Sequence, residues 1–385
     1  MDFELNEDQI AFSDMARAFA QNEMEPHAAE WDEKQIFPVD VLQKAGELGF
    51  CGLYSPEDVG GLGLGRLDSS IIFEQLAMGC TSTTAFITIH NMATWMIADF
   101  GNEETRQFWC PDLTAGQKLA SYCLTEPNAG SDAASLKTTA RKDGDEYVLN
   151  GSKIFISGAG ATDVLVVMAR TGEDGPKGIS AFAVDAKAAG ITYGRKEEKM
   201  GWNSQPTRLI TFEDARIPAS CLMGKEGDGF KIAMMGLDGG RINIATCSIG
   251  TAQAALNHAI QYMGERKQFG RTLENFQALQ FKIATMNTEL VAARQMVRLA
   301  ASKLDNKHSD RSTYCAMAKR FATDVGFNVC DEALQIFGGY GYIKEYPMER
   351  YVRDSRVHRI LEGTNEIMNV IVARRLLLKD AADIL

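Results

Sequence analysis

The stretch SLKTTARKDGDEYVLNGSKIFISGAGATDVLVVMA (residues 135–169) decides the architecture. Four short runs rich in β-branched, aromatic or aliphatic residues stand in it: Ser135–Lys142, Glu146–Leu149, Lys153–Ser157 and Val164–Ala169. Asp143-Gly144 and Asn150-Gly151 punctuate them, and both dipeptides favour two-residue hairpin turns. Leu119–Leu124 precedes these runs, and strands near Ile179–Val184 and Thr207–Phe212 follow them. Strands joined by tight turns, with no helical period between them, predict an antiparallel sheet or small β-barrel and disfavour a parallel Rossmann sheet.

On both sides the period becomes helical. Upstream, Asn6 with Gln9 three residues later has the form of a capping box, and Ile10, Met15 and Phe19 recur at helical spacing. Gly60, Gly61, Gly63 and Gly65 make a loop before a further helix from about Asp68. His90, inside the apolar helical stretch Phe86–Met96, reads as a satisfied core histidine before a catalytic one. Downstream, four long helical segments are predicted, over about 227–263, 275–303, 311–337 and 364–380. Tyr314, Met317, Phe321, Val325 and Val329 form the apolar stripe of the third. The expected organisation is an N-terminal helical domain (1–118), a middle β domain (119–225) and a C-terminal four-helix bundle (226–385), an α+β chain that is mostly α.

A chain of 385 residues exceeds what one core normally organises, in keeping with three domains. Its 40 Lys+Arg against 51 Asp+Glu give a net charge of −11, which argues against nucleic acid as a partner. A phosphate-bearing ligand must then be met by local arginines or backbone amides rather than by the global field. The eight cysteines form no C-x-x-C pair, as expected of reduced thiols in a cytosol-like compartment. The five histidines are scattered, so no metal site is expected. The acidic N-terminus does not read as a signal peptide, and no apolar run reaches the ~18 residues of a membrane span.

No G-x-G-x-x-G follows a strand, and neither a P-loop nor a G-x-S-x-G elbow occurs. Three segments remain. YCLTEPNAGSD (Tyr122–Asp132) runs from a strand into a constrained turn; alone, it is an ordinary β-turn before it is a site. KIFISG (Lys153–Gly158) is by itself a core strand. In RDSRVHRILEGTNE (Arg353–Glu366), Thr364 is a candidate N-cap, and Glu362 lies between apolar neighbours and free helix amides. Such an acid is usually just solvated; at an apolar site its pKa can instead rise until it serves as a proton acceptor.

Together these segments resemble the acyl-CoA dehydrogenase family. LTEP (Leu124–Pro127) with GSD (Gly130–Asp132), ERKQFG (Glu265–Gly270), QIFGGYG (Gln335–Gly341) and LEGT (Leu361–Thr364) match its motifs in its order, and PEDVGGLG (Pro56–Gly63) matches its N-terminal loop. IHNM (Ile89–Met92), SDAASL (Ser131–Leu136), GWNSQPTR (Gly201–Arg208), GGRINIA (Gly239–Ala245) and VRDSRVH (Val352–His358) are most similar to the isobutyryl-CoA branch. The resemblance spans essentially the whole chain. Departures are Phe155 where many relatives have Trp, Asn128 where Gly is usual, and Asn365-Glu366 after the base segment.

The resemblance implies a helical domain, a β-barrel and a helical bundle, with FAD between the last two and a neighbouring subunit completing its site. Tyr122, Cys123, Leu124, Thr125 and Ser131, with Phe155, Ile156 and Ser157, would line the flavin. Arg266, Phe276, Gln277, Gln335, Ile336, Phe337, Gly338 and Gly339 would hold pyrophosphate and adenosine. Thr364, Asn365 and Glu366, at a helix N-terminus, would face the cofactor phosphates. Ser131, Asp238, Gly239, Gly240, Arg241 and Arg374 match positions that contact the CoA moiety. Glu362 would take the α-proton while the β-hydrogen leaves as hydride to flavin N5. Some relatives carry the base near Asp238–Arg241, where this chain has Gly240.

Electrons would pass to an electron-transferring flavoprotein. A homotetramer is implied, in a bacterial cytoplasm or, for a processed chain, the mitochondrial matrix. The implied substrate is isobutyryl-CoA, with butyryl-CoA and 2-methylbutyryl-CoA as alternatives. An acyl-CoA oxidase is disfavoured by length. A non-catalytic CoA-binding scaffold is disfavoured because Glu362 and Arg266 are both present.

Overall fold

The computed structural model describes residues 4–377. Its N-terminal part is helical: α1 (Glu7–Phe19), α2 (Ala28–Lys34), α3 (Val39–Glu47), α4 (Arg66–Gly79), α5 (Thr81–Phe100) and α6 (Glu103–Thr114). The capping box read at the start of α1 forms: the Asn6 side chain accepts from the Gln9 N–H, and the Gln9 side chain accepts from the Asn6 N–H. At α6 the cap is one-sided, the Asn102 side chain accepting from Thr105 N–H, with Glu103 and Glu104 in the first turn.

Eight strands follow: β1 (Ala120–Cys123), β2 (Thr139–Asp143), β3 (Glu146–Ser157), β4 (Val164–Arg170), β5 (Ile179–Asp185), β6 (Ile191–Tyr193), β7 (Thr207–Pro218) and β8 (Leu222–Met223). They pair in the order β6-β7-β3-β2-β4-β5-β8, with β1 beside β4. The α-then-β-then-α class is as expected, but the sheet corrects one detail. Among the described residues no pairing joins β6 to β8, so the sheet is open rather than a closed barrel. It is also mixed, because β1 and β2 each run parallel to β4. β4 is buried at every residue, as a strand covered on both faces must be.

The two turn signals separate. Asp143-Gly144 lies at a hairpin: Asp143 pairs with Glu146, and Gly144 has φ +65°. Asn150-Gly151 does not turn the chain and lies inside the single long strand β3. There the register against β7 shifts between Leu149 and Gly151, and Gly151 takes φ +139° with Thr138 packed over it. The Asn150 side chain bonds to Asp214 of β7 in both directions (2.9 and 3.0 Å), which fixes a bulge where a hairpin was expected.

The C-terminal part comprises α7 (Gly229–Glu265), the small hairpin β9 (Lys267–Gln268) and β10 (Arg271–Thr272), then α8 (Gln277–Asp305), α9 (Arg311–Phe337), α10 (Met348–Arg356) and α11 (Asn365–Leu376). The last residues of the helix expected over 364–380 lie outside the described residues. α7 is buried on nearly all sides for most of its length, as the central helix of a bundle should be. It packs against α4 and α5 on one side and α8 and α9 on the other. The candidate site draws its residues from α4, α7, α9, β1 and the segment before α11.

Candidate active site

After a 3-10 turn (Val357–Arg359), the chain reverses through two consecutive left-handed residues, Glu362 at φ +55° and Gly363 at φ +88°. The Thr364 hydroxyl caps α11 by accepting from Ile367 N–H at 3.3 Å. A glutamate in this conformation is strained by roughly 1–2 kcal/mol, so the surroundings must hold it there. Lys319 of α9, with no solvent exposure, donates to the Gly363 carbonyl at 2.8 Å and to Asn365 Oδ1 at 2.9 Å. Asn365 Nδ2 in turn donates to Thr323 and Asp324 of α9.

Glu362 as a whole is only partly covered, yet its Oε2 is sealed from solvent and has no hydrogen-bond partner. A Cβ on Gly240 of α7 would lie 2.4 Å from that oxygen, so the helix approaches as closely as a glycine permits. Burial raises the carboxyl to about 7, against the lowering effect of the Arg241 and Lys319 charges. Arg241 is paired with Asp238 at 2.7 Å, and Asp238 also accepts from Ser312 at 2.5 Å. Arg66 of α4 lies over the Tyr54 ring (3.4 Å to the centroid) and against Gly239. The Tyr122 hydroxyl is buried without a partner, as are Arg66 Nη1 and Arg241 Nε. Unpartnered donors beside an unpartnered acidic oxygen mark a place built for a polar ligand.

From β1 the chain runs through Leu124 and Thr125, held to β3 by Ile154 N–H donating to the Thr125 carbonyl at 2.9 Å. Beneath it lies a buried ion pair that the motifs do not reveal. Lys153 Nζ donates to Glu126 Oε1 (2.7 Å) and to the Leu124 carbonyl (3.0 Å), and Glu126 also accepts from Lys137 and Thr138 N–H. Burial would raise the Glu126 carboxyl; Lys153 and the two amides more than offset it and hold it low. Phe155 sits in a bulge at φ +59° with 64% of its surface exposed, an aromatic face held out of the core. Ser157 follows it, its carbonyl accepting from Ser121 at 2.7 Å.

Not every expected residue offers its side chain. Cys123 and Ile156 pack inside the sheet, and Ile336 and Phe337 pack inside the bundle, Phe337 stacked on Tyr262 at 4.1 Å. Only their backbones are available to a ligand. The Asn365 side chain is likewise committed, to α9. Ser131, Gln277, Gln335, Gly338, Gly339 and Glu366 are exposed, and the Cβ positions of Gly338 and Gly339 face open space. Arg266 lies over Tyr340 (5.4 Å) and Phe276 under Arg271 (4.0 Å), a second cluster at the far end of α7. Among the described residues no hydrogen bond or ion pair joins this cluster to the Glu362 turn, and Arg374 is exposed on α11 without such a bond. Phe269 beside the cluster is 92% exposed.

A flavin fits what is present: an out-turned aromatic at Phe155, open glycine backbone at Gly338 and Gly339, the helix N-terminus after Thr364, and unpartnered donors near Glu362. His90 is satisfied at both nitrogens, by the Leu113 carbonyl (2.9 Å) and Ala120 N–H (3.1 Å). Among the described residues no cluster of His, Cys, Asp or Glu could hold a metal, and no helix is long and apolar enough to cross a membrane.

Comparison with known proteins agrees over the whole length. The N-terminal, middle and C-terminal domain descriptions of acyl-CoA dehydrogenases match residues 6–117, 121–215 and 227–377. The mitochondrial isobutyryl-CoA dehydrogenase of Bos taurus is 56% identical over 97% of this chain and 90% of its own. That of Dictyostelium discoideum is 57% identical over the same shares. The acryloyl-CoA reductase (NADH) of Anaerotignum propionicum is 42% identical, covering 98% and 96%. Among solved structures, butyryl-CoA dehydrogenase from Megasphaera elsdenii superposes with a TM-score of 0.95 at 40% identity, covering 98% of this chain and 100% of that one.

Proposed function

Because the chain belongs to the acyl-CoA dehydrogenase family, we propose that it oxidises a short branched acyl-CoA, isobutyryl-CoA first, to its α,β-unsaturated thioester, with Glu362 as the proton acceptor. The observation that carries this reading is the sealed, unpartnered Glu362 carboxyl oxygen packed against Gly240 of α7, with burial raising the carboxyl to about 7. A base with its pKa close to the working pH is ionised enough to accept a proton and basic enough to keep it.

The enzyme is an FAD-dependent oxidoreductase; FAD, when bound, supplies the two-electron acceptor for the β-hydrogen. The protein's residues supply the rest. Glu362 Oε2 receives the α-proton, and the backbone N–H of Glu362 polarises the thioester carbonyl so that this proton becomes acidic. Tyr122 to Thr125, Phe155 and Ser157 orient the isoalloxazine. Arg266 and the open backbone at Gly338-Gly339 take the adenosine diphosphate of a neighbouring subunit's cofactor in a homotetramer. Asp238–Arg241 and Ser131 face the CoA moiety. The proposed electron acceptor is an electron-transferring flavoprotein, and the proposed compartment a mitochondrial matrix or a bacterial cytoplasm.

Isobutyryl-CoA is preferred over butyryl-CoA because the 56–57% identical relatives bear that name, whereas the short-chain-specific relative of Bos taurus is 42% identical. The test is an anaerobic titration of the flavin absorbance with each thioester. Bleaching at lower concentration and faster with isobutyryl-CoA is expected. A preference for butyryl-CoA overturns the substrate, and no bleaching by either overturns the reaction.

A further inference from the structure

Among the buried, chemistry-bearing groups outside the catalytic and binding residues are the Lys153–Glu126 pair, the Asp354–Trp202 contact and Lys319. Two of them have a structural task that accounts for them fully. Lys153 ties the Leu124–Glu126 segment to β3, and Asp354 accepts from Trp202 N–H at 2.6 Å, which fixes the loop before β7. Lys319 is different. Its two bonds end on the residue after the proton acceptor and on the first residue of α11, and its charge faces Glu362 itself.

We propose that Lys319 is a positioning residue for the proton acceptor: it fixes the Glu362–Asn365 turn from the opposite helix and supplies a buried positive charge that, with Arg241, favours ionised Glu362. This rests on the reading of Glu362 as the base. The geometry supports both tasks. Glu362 at positive φ makes the turn an unfavourable conformation, whereas Gly363 adopts its positive φ without strain, so the neighbouring carbonyl and side chain must be held for the turn to persist. A fully buried ammonium bonded to the Gly363 carbonyl and to Asn365 holds it at two points. Asn365 extends the hold to Thr323 and Asp324, about one turn further along the same helix.

Two charges face Glu362, Arg241 on α7 and Lys319 on α9, together with the neutral phenols of Tyr122 on β1 and Tyr54 before α4. Arg241, itself paired with Asp238, is the larger of the two favourable charges at Glu362, and Lys319 adds to it from the opposite helix. The groups facing Lys319 are Glu362, Arg241, Asp324, Glu366 and the buried His358. None of the carboxylates among them is in hydrogen-bond contact with Lys319 Nζ, so its charge remains available to Glu362. Burial lowers Lys319 to about 8, which places loss of its charge just above ionisation of Glu362.

The experiment is the pH dependence of single-turnover flavin reduction by saturating isobutyryl-CoA, in holoenzyme. Wild type is expected to show an acid limb from Glu362 and an alkaline limb from Lys319. In Lys319→Met the acid limb should move upward by on the order of one pH unit, beyond any fall in maximal rate. A purely structural lysine would lower the rate or loosen FAD and leave the limb where it was; that result overturns the proposal. If Lys319→Met is not recovered with flavin bound, Asn365→Asp decides. It leaves Lys319 in place and adds a carboxylate at the position of its present 2.9 Å partner, so the alkaline limb should move up. An unmoved alkaline limb overturns the proposal. Glu362→Gln in the same assay separates the two levels. If it is inactive and the Lys319 variants leave the limbs unmoved, only the role of Lys319 fails. If it still reduces flavin, the base assignment fails as well.

Discussion

Replacing Glu362 by glutamine should make the protein more stable, and only at the pH where the enzyme works. The native carboxyl is raised from 4.5 to about 7, with burial as the largest cause. The folded state therefore holds a proton that the unfolded chain releases between those pH values. The stabilisation linked to that proton is fully present below about 4.5 and lost as pH rises through 7. At about 1.4 kcal/mol per pH unit, the interval from 4.5 to about 7 corresponds to an upper value of about 3 kcal/mol lost by wild type at alkaline pH. Glutamine is nearly isosteric and does not ionise, so Glu362→Gln escapes the loss. Thermal unfolding of the holoproteins, at matched protein and FAD concentration, should show similar midpoints at pH 5. The variant should gain several degrees by pH 8.5, at roughly 2 °C per kcal/mol for a long chain. The same variant should keep its flavin spectrum and lose nearly all turnover. A midpoint difference independent of pH would refute the argument that the carboxylate is desolvated, and turnover within tenfold of wild type would refute its role.

Two further substitutions probe the supports of the site. Gly240→Ala places a methyl 2.4 Å from Glu362 Oε2 and 2.8 Å from Cδ, so the carboxylate must swing away; a loss of about 10²-fold in kcat is expected with FAD retained, measured by steady-state turnover against flavin content. Lys153→Met leaves the Glu126 carboxylate buried without its cation, a change expected to destabilise by about 3–5 kcal/mol; it should appear as a lower midpoint and faster FAD release, and unchanged values would show that the two backbone amides alone suffice.

How far the sequence could be read depended on how local each determinant is. Asn6 and Gln9 declare the first helix because capping is settled within four residues, and the stripe from Tyr314 to Val329 predicted a helix over 311–337 that the structure has as Arg311–Phe337. Asn150-Gly151 misled because the dipeptide is equally suited to a bulge; what selects the bulge is Asp214, 64 residues away. The ion pair of Lys153 and Glu126 escaped notice for the same reason, with Lys153 reading as the polar start of an apolar run. Lys319 was hidden between Ala318 and Arg320 in a long helix, where a lysine ordinarily faces water. Glu362 was legible through the LEGT segment, yet its left-handed backbone and its glycine counterpart on α7 belong to the fold. Cys123, Ile156, Ile336 and Phe337 lie in motif positions, but a motif does not say which atoms of a residue face a ligand, and their side chains face the core.

The arrangement around Glu362 has one further implication for how the carboxylate can act. A glutamate on a flexible loop would meet a substrate in many orientations and would solvate itself between encounters. Here each source of that freedom is removed by a different element. The positive φ of Glu362 and Gly363 sets the direction of the turn, Thr364 and α11 anchor its C-terminal side, and Lys319 holds the carbonyl between them. Gly240 lets α7 close over Oε2, so water does not reach it. The strain and desolvation that result destabilise the free protein by a few kcal/mol. They also leave a base that is already oriented and already stripped of solvent, so little reorganisation accompanies proton transfer. Loss of stability at this turn and competence for catalysis thus have one structural origin, which is why a single substitution at Glu362 should reverse the first and abolish the second.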